Sequence, residues 1–367
     1  MSVLDPNLRR HLLALFLCWS ASVPVAEVVF RSIGDKPSDD LAGLYVPFGE
    51  RSYKLGPAVS TEAKWAAGRF TVHTDSLGLR CDTEGRLACR PGHTIDFLFL
   101  GDSQGFGNGV RFRESVAGSA AEFARANAIR CANASVGGHK LRNQFGLARW
   151  LHDKERLRIA HYVLLLTPAM IQDPNGYAHA AVGSDGRLYD KPPTMYARAR
   201  LWLKTHSVLY GRIRDAALNS GLSKKPAWNA TESVFSIYDA RESIDIARDR
   251  LVRVLQQFMG FAAQNGADVS LVYVPLTVEI QSDALRQAAA QRGIALDLDR
   301  SFSICSSVAT HLGLRLHDLR PVLRKVLSEG HSLRSKNDFH YNPILSEACG
   351  SSIWTYLSGF AHSPAGA

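Results

Sequence analysis

Three stretches of the chain are apolar almost without interruption: IDFLFL from Ile95, HYVLLLT from His161 and DVSLVYV from Asp268. Runs this short, without polar alternation, predict strands covered on both faces, as in a parallel sheet. Between and around them the period lengthens toward that of a helix, in ESVAGSAAEFARANA, LRNQFGLARWLHDKERL, ARDRLVRVLQQFMGFAAQNG and DALRQAAAQRG. Several of these end on Gly or Asn, which suit a helix C-terminus. Strands that alternate with helices predict an α/β fold, a three-layer α/β/α sandwich with a mainly parallel sheet and ligands at the carboxyl ends of its strands.

The flanking segments read differently. Residues 33–94 are rich in Gly, Pro and polar residues with short alternating runs such as GRFTVHTDSLGLR, a loop-rich β leader before the α/β domain at 95–360. Residues from about 174 to 242 break the strand and helix rhythm and read as an insertion that shapes a substrate site or a partner surface. Residues 1–32 hold Arg9 and Arg10 followed by an apolar stretch from Leu12 to Phe30, interrupted by Pro24 and Glu27. Apolar character resumes at Val28, Val29 and Phe30, which favours a retained membrane anchor with the arginines in the cytoplasm. Ser20 and Ser22 would suit cleavage of a signal peptide instead, and a buried helix of a soluble protein is the third reading.

Composition adds limits. With 367 residues, 46% hydrophobic, the chain can bury a large core. The net charge of +9 fits a solvated basic surface or contact with an anionic membrane or polysaccharide. The basic residues are scattered, as in Arg9-Arg10 and Lys224-Lys225, with no aromatic-interleaved stripe, so no nucleic-acid partner is expected. The six cysteines, Cys18, Cys81, Cys89, Cys131, Cys305 and Cys349, lack metal-ligand spacing, and no metal or organic cofactor is expected. Cys81 and Cys89 flank DTEGRLA, where either a disulfide closing a hairpin or two half-buried thiols would fit.

The first apolar run ends in GDSQGFGNGV, which places Ser103 between a buried strand and a helix start. A hydroxyl there emerges where open α/β sheets bind ligands, with helix-start amides near enough to stabilise an oxyanion. The glycine run lacks the Lys-Ser/Thr of a phosphate loop and does not form a dinucleotide fingerprint. A serine nucleophile needs a base and an orienting group. Of the thirteen histidines, His340 in SKNDFHYNP has the best setting, with Asp338 two residues before it. An Asp-x-His on a loop can bring the carboxylate to the imidazole, and it can equally be an exposed pair.

Together, Gly101-Asp102-Ser103, the CANASVGGHK stretch and the late NDFHYNP resemble the GDSL/SGNH hydrolase family, within its exported and membrane-anchored bacterial branches. GRFTVHTDSLGLRC is similar to the segment that often precedes the first motif, and the resemblance runs from about Gly68 to Leu357. It implies that Ser103 attacks an ester carbonyl, His340 is general base and then general acid, and Asp338 orients His340. It also implies that the backbone N–H groups of Ser103 and Gly138 hold the oxyanion, while Asp102 shapes the turn.

One block departs from the pattern. Where the family carries Asn-Asp after a strand, this chain has Ala169 and Met170, so a side-chain oxyanion donor is missing. Thr167, His139 and Asn143 are the replacements at hand, and Asn337, without charge, is a weaker orienter than Asp338. The resemblance implies a serine esterase or deacylase acting on O-acyl, chiefly acetyl, esters of an envelope or secreted polysaccharide. The protein would be held in the bacterial inner membrane with its catalytic domain in the periplasm, or be secreted. An O-acyltransferase and a non-catalytic carbohydrate-binding or assembly protein of polysaccharide export are the competing expectations.

Overall fold

The computed structural model describes residues 22–32, 41, 43–49, 52–65, 68–175, 181–183, 187–189, 194–219, 235, 237–239, 243–334 and 340–361. They belong to two compact units, one drawn from 1–40 and 192–226, the other from 41–191 and 227–367.

The smaller unit holds a helix over 22–32 and the helices Met195–His206 and Val208–Asn219. Glu27, the acidic interruption of the N-terminal apolar run, accepts hydrogen bonds from Ser207 Oγ and Val208 N at 2.9 Å and from Leu209 N at 3.0 Å. Its carboxylate therefore satisfies orphan amides at the start of a helix far along the chain. Arg31 lies one turn on and pairs with the same carboxylate at 2.9 Å. No helix among the described residues is long and apolar enough to cross a membrane. Residues 1–21, most of the expected anchor, lie outside them.

The larger unit opens with a hairpin of β1 (Tyr45–Phe48) and β2 (Ser52–Leu55). An eight-stranded sheet follows, made of β3 (Ser60–Trp65), β4 (Gly68–Thr74), β5 (Arg80–Cys81), β6 (Thr94–Leu100), β7 (Cys131–Asn133), β8 (Arg158–Leu166), β11 (Asp268–Tyr273) and β12 (Arg315–Asp318). β9 (Ala181–Val182) and β10 (Leu188–Tyr189) form a separate two-stranded ribbon. The sheet order is β12-β11-β8-β6-β7-β5-β4-β3. From β12 to β7 the strands run parallel, and β5, β4 and β3 continue the sheet antiparallel.

The three continuous apolar runs are β6, β8 and β11, at the centre of the parallel part. Side chains of a strand alternate between faces, so each run feeds two cores. Leu98, Leu100, Tyr162, Leu164, Leu166 and Leu271 join one core with residues of the helices Leu141–Asp153, Ile244–Gln264 and Arg300–Leu312. Phe97, Phe99, Val163, Leu165 and Val272 join the other with Val116–Arg125, Arg320–Ser328 and Pro343–Ala361. This is the expected helix–sheet–helix sandwich. Each fully buried Leu or Phe contributes about 1.5–3 kcal/mol, which explains why these strands hold the centre.

β6 precedes its parallel neighbours in the chain and has β7 on one side and β8 on the other. Chain order reverses there, and the space outside the carboxyl ends of β6 and β8 is where open α/β sheets bind ligands. Cys81, Cys89, Cys131, Cys305 and Cys349 are free and buried, so Cys81 and Cys89 are thiols and not a disulfide. Burial pushes both of those thiols up to about 12.

Candidate active site

At the end of β6 the chain leaves the sheet through Gly101 and Asp102 and enters a one-turn helix, Ser103–Phe106. Asp102 caps that turn, its Oδ1 accepting from Gln104 N at 2.9 Å. Its Oδ2 accepts from Thr167 Oγ1 at 2.6 Å, at the carboxyl end of β8. Burial raises the Asp102 carboxyl above its ordinary value, opposed by these two bonds and by the nearby His340. Ser103 is half-buried, and its hydroxyl has no hydrogen-bond partner among the described residues.

The turn is held from below by a buried cation. Arg80, only 1% exposed, donates through Nη1 to the carbonyls of Phe106 and Gly107 and through Nη2 to Val110 O at 2.7 Å. Its guanidinium also lies 4.4 Å from the centre of the Phe106 ring. Gly107 is required at its position: φ is +84°, and a Cβ would stand 2.2 Å from Ser115 Cβ and 2.9 Å from Arg80 Nη1. Asn133, at the end of β7, donates from Nδ2 to Gly105 O at 3.1 Å and accepts from Ser135 N at 2.9 Å. Arg80 and Asn133 also pair across β5 and β7. Nothing in the sequence marks either as a support of the serine turn; their roles arise only when the leader strand meets β7.

After β7 the chain forms a second loop beside the serine turn. Tyr53 Oη donates to Gly137 O at 2.8 Å, and Gly138 follows with φ +79°. His139 is buried, and its Nε2–H donates to Tyr53 O at 2.7 Å; desolvation holds its imidazole at about 4. Asn143 accepts from Lys140 N at 3.0 Å and donates to Ser52 Oγ at 3.0 Å. With Thr167 donating to Asp102, all three replacements expected for the missing donor are therefore engaged elsewhere. Ala169 packs beside the apolar cluster of Phe235, Ile237 and Tyr238, and its carbonyl accepts from Lys140 Nζ at 2.8 Å.

Part of the C-terminal block lies beside the serine turn. His340 is buried, and the next residue, Tyr341, donates its backbone N–H to Gln104 Oε1 at 3.4 Å. Tyr341 Oη donates to Pro275 O, just beyond β11. The first bond fastens the histidine segment beside the residue that follows Ser103, and the second fastens it to the chain beyond β11. Asp338 and Asn337 lie outside the described residues. Among the described residues no cluster of His, Cys, Asp and Glu is placed to hold a metal ion.

No family model matches the chain, and a search of curated proteins returns no significant match. The fold is similar to solved esterases and acylhydrolases. An acetyl xylan esterase is 14% identical, with 72% of this chain and 100% of that chain covered at a TM-score of 0.40. A lipase/acylhydrolase from Enterococcus faecalis is 12% identical, covering 72% and 97% at 0.38. A lipolytic protein of the G-D-S-L family from Desulfitobacterium hafniense is 10% identical, covering 71% and 98% at 0.37.

Proposed function

We propose that the larger unit is a serine ester hydrolase that removes O-acyl, chiefly acetyl, groups from a carbohydrate. What supports this reading is that the Ser103 turn has the Gly137-Gly138 loop on one side, through the Val136 N–Gly101 O bond, and the His340 segment on the other, through the Tyr341 N–Gln104 Oε1 bond. Ser103 Oγ attacks the ester carbonyl carbon while its proton passes to His340, and the carbonyl π pair moves onto oxygen as an oxyanion. The N–H groups of Ser103 and Gly138 receive that charge. Collapse breaks the bond to the alcohol, which leaves with the proton from His340. Water then attacks the acyl-serine by the same route and releases the carboxylic acid. Asp338 orients the imidazole and stabilises its cationic form. A sugar hydroxyl in place of that water would make the protein an O-acyltransferase.

Membrane attachment through residues 1–32, with the active unit outside the cytoplasm, belongs to this reading. It is supported by the apolar run Leu12–Phe30 and by the exposed Val25, Val28 and Val29 of the helix that ends it. Ala169 favours the competing reading, a non-catalytic carbohydrate-binding or assembly protein. Turnover of p-nitrophenyl acetate and labelling by a fluorophosphonate separate the two. Folded protein that is neither turning over nor labelled at Ser103 overturns hydrolase and transferase alike, and activity that survives Ser103→Ala or His340→Ala assigns it to other residues.

A further inference from the structure

We infer that Asn108 supplies the side-chain hydrogen bond to the oxyanion that Ala169 cannot, an inference that rests on the ester-hydrolase reading above. Asn108 closes the serine turn: its backbone N–H donates to Ser103 O at 3.2 Å, so its position follows that of the nucleophile. Its side chain faces the loop that carries the second backbone donor. A methyl placed on Gly137, the residue before Gly138, would sit 3.5 Å from Tyr45 Oη, 3.8 Å from Asn108 Oδ1 and 3.9 Å from Nδ2. The two amide atoms are equidistant from that point, so rotation of the amide presents the NH₂ group to the loop at little change in reach.

The amide is also unpartnered. Asn108 is 8% exposed, its Oδ1 is enclosed without a hydrogen-bond partner, and neither amide atom has one among the described residues. Buried amides are nearly always bonded, and an exception on the serine turn points to a group that arrives with the ligand. His139, Asn143 and Thr167 contrast with it, because each already spends its donor on the protein. A neutral amide on the nucleophile's own turn can donate to charge as it develops on the carbonyl oxygen without first surrendering another bond.

The test uses the full chain with p-nitrophenyl acetate, comparing Ser103→Ala, Asn108→Ala and Asn108→Asp. Asn108→Ala lowers kcat about a hundredfold to a thousandfold while KM stays within about threefold, because the bond forms chiefly in the transition state. Asn108→Asp, equal in shape but an acceptor, is at least as slow. If kcat of Asn108→Ala stays within about threefold of the parent while Ser103→Ala is inactive, the inference falls and the esterase reading stands. If Asn108→Asp restores what Asn108→Ala lost, the side chain serves shape alone, and the inference also falls. If Ser103→Ala is as active as the parent, the esterase reading itself fails.

Discussion

Thr167 Oγ1 donates to Asp102 Oδ2 at 2.6 Å, joining the ends of two central strands at the point where the order of the sheet reverses. The serine turn is therefore clamped between its own strand and the neighbouring one. Thr167→Val keeps the shape and deletes the donor, leaving the Asp102 carboxylate with the Gln104 amide. A loss of about 1–3 kcal/mol in urea unfolding is expected, together with slower phosphonate labelling of Ser103. Thr167→Ser keeps both near the parent values.

Arg80 answers for three carbonyls of the glycine-rich turn. Arg80→Met leaves them unpaired and costs about 3 kcal/mol or more, read as a lower denaturant midpoint. Arg80→Lys recovers only part, because an ammonium cannot reproduce the planar fork. A full recovery by Lys would show that charge alone matters.

Gly138 has a left-handed backbone, and a Cβ there would stand 2.6 Å from Tyr53 Oη. Gly138→Ala is expected to displace the Tyr53 hydroxyl from Gly137 O and to lower kcat. Adding Tyr53→Phe relieves the clash but not the cost of positive φ, roughly 1 kcal/mol, so the double variant regains part of the lost stability. Equal losses in the single and double variants would rule out the steric account.

Buried His139 is held at about 4, against 6.5 for a free imidazole. The unfolded chain therefore binds the proton first, and the stability that neutral His139 provides is whole above about pH 6.5 and is lost as pH falls toward 4. The stability difference between the parent and His139→Gln should change by on the order of 3 kcal/mol across that window. Urea titrations at several pH values read it directly, and a difference that does not vary with pH refutes it.

The sheet's centre was legible because β6, β8 and β11 are buried on both faces, so their composition alone separates them from helices. β7 is three residues, Cys131–Asn133, and β12 is the polar edge strand RLHD; neither carries enough periodic signal to stand out. Ser103, Gly138 and His340 are motif positions in the sequence, and the roles proposed for them rest on that resemblance. The bonds of Arg80 and Tyr53 to the serine turn and to Gly137 were not legible, since each reaches backbone far away in sequence. The engagement of Thr167, His139 and Asn143 was invisible for the same reason.

The pairing of Arg80 with Asn133 joins the antiparallel and parallel parts of the sheet through residues that both reach the serine turn. β4, β5 and the glycine-rich turn after β6 are consequently expected to open together. The amides of Gly107 and Asn108, which bond to Ser103 O, should exchange with deuterium at the same slow rate as the leader strand Gly68–Thr74, so that the turn ripens only after a long-range closure of the chain.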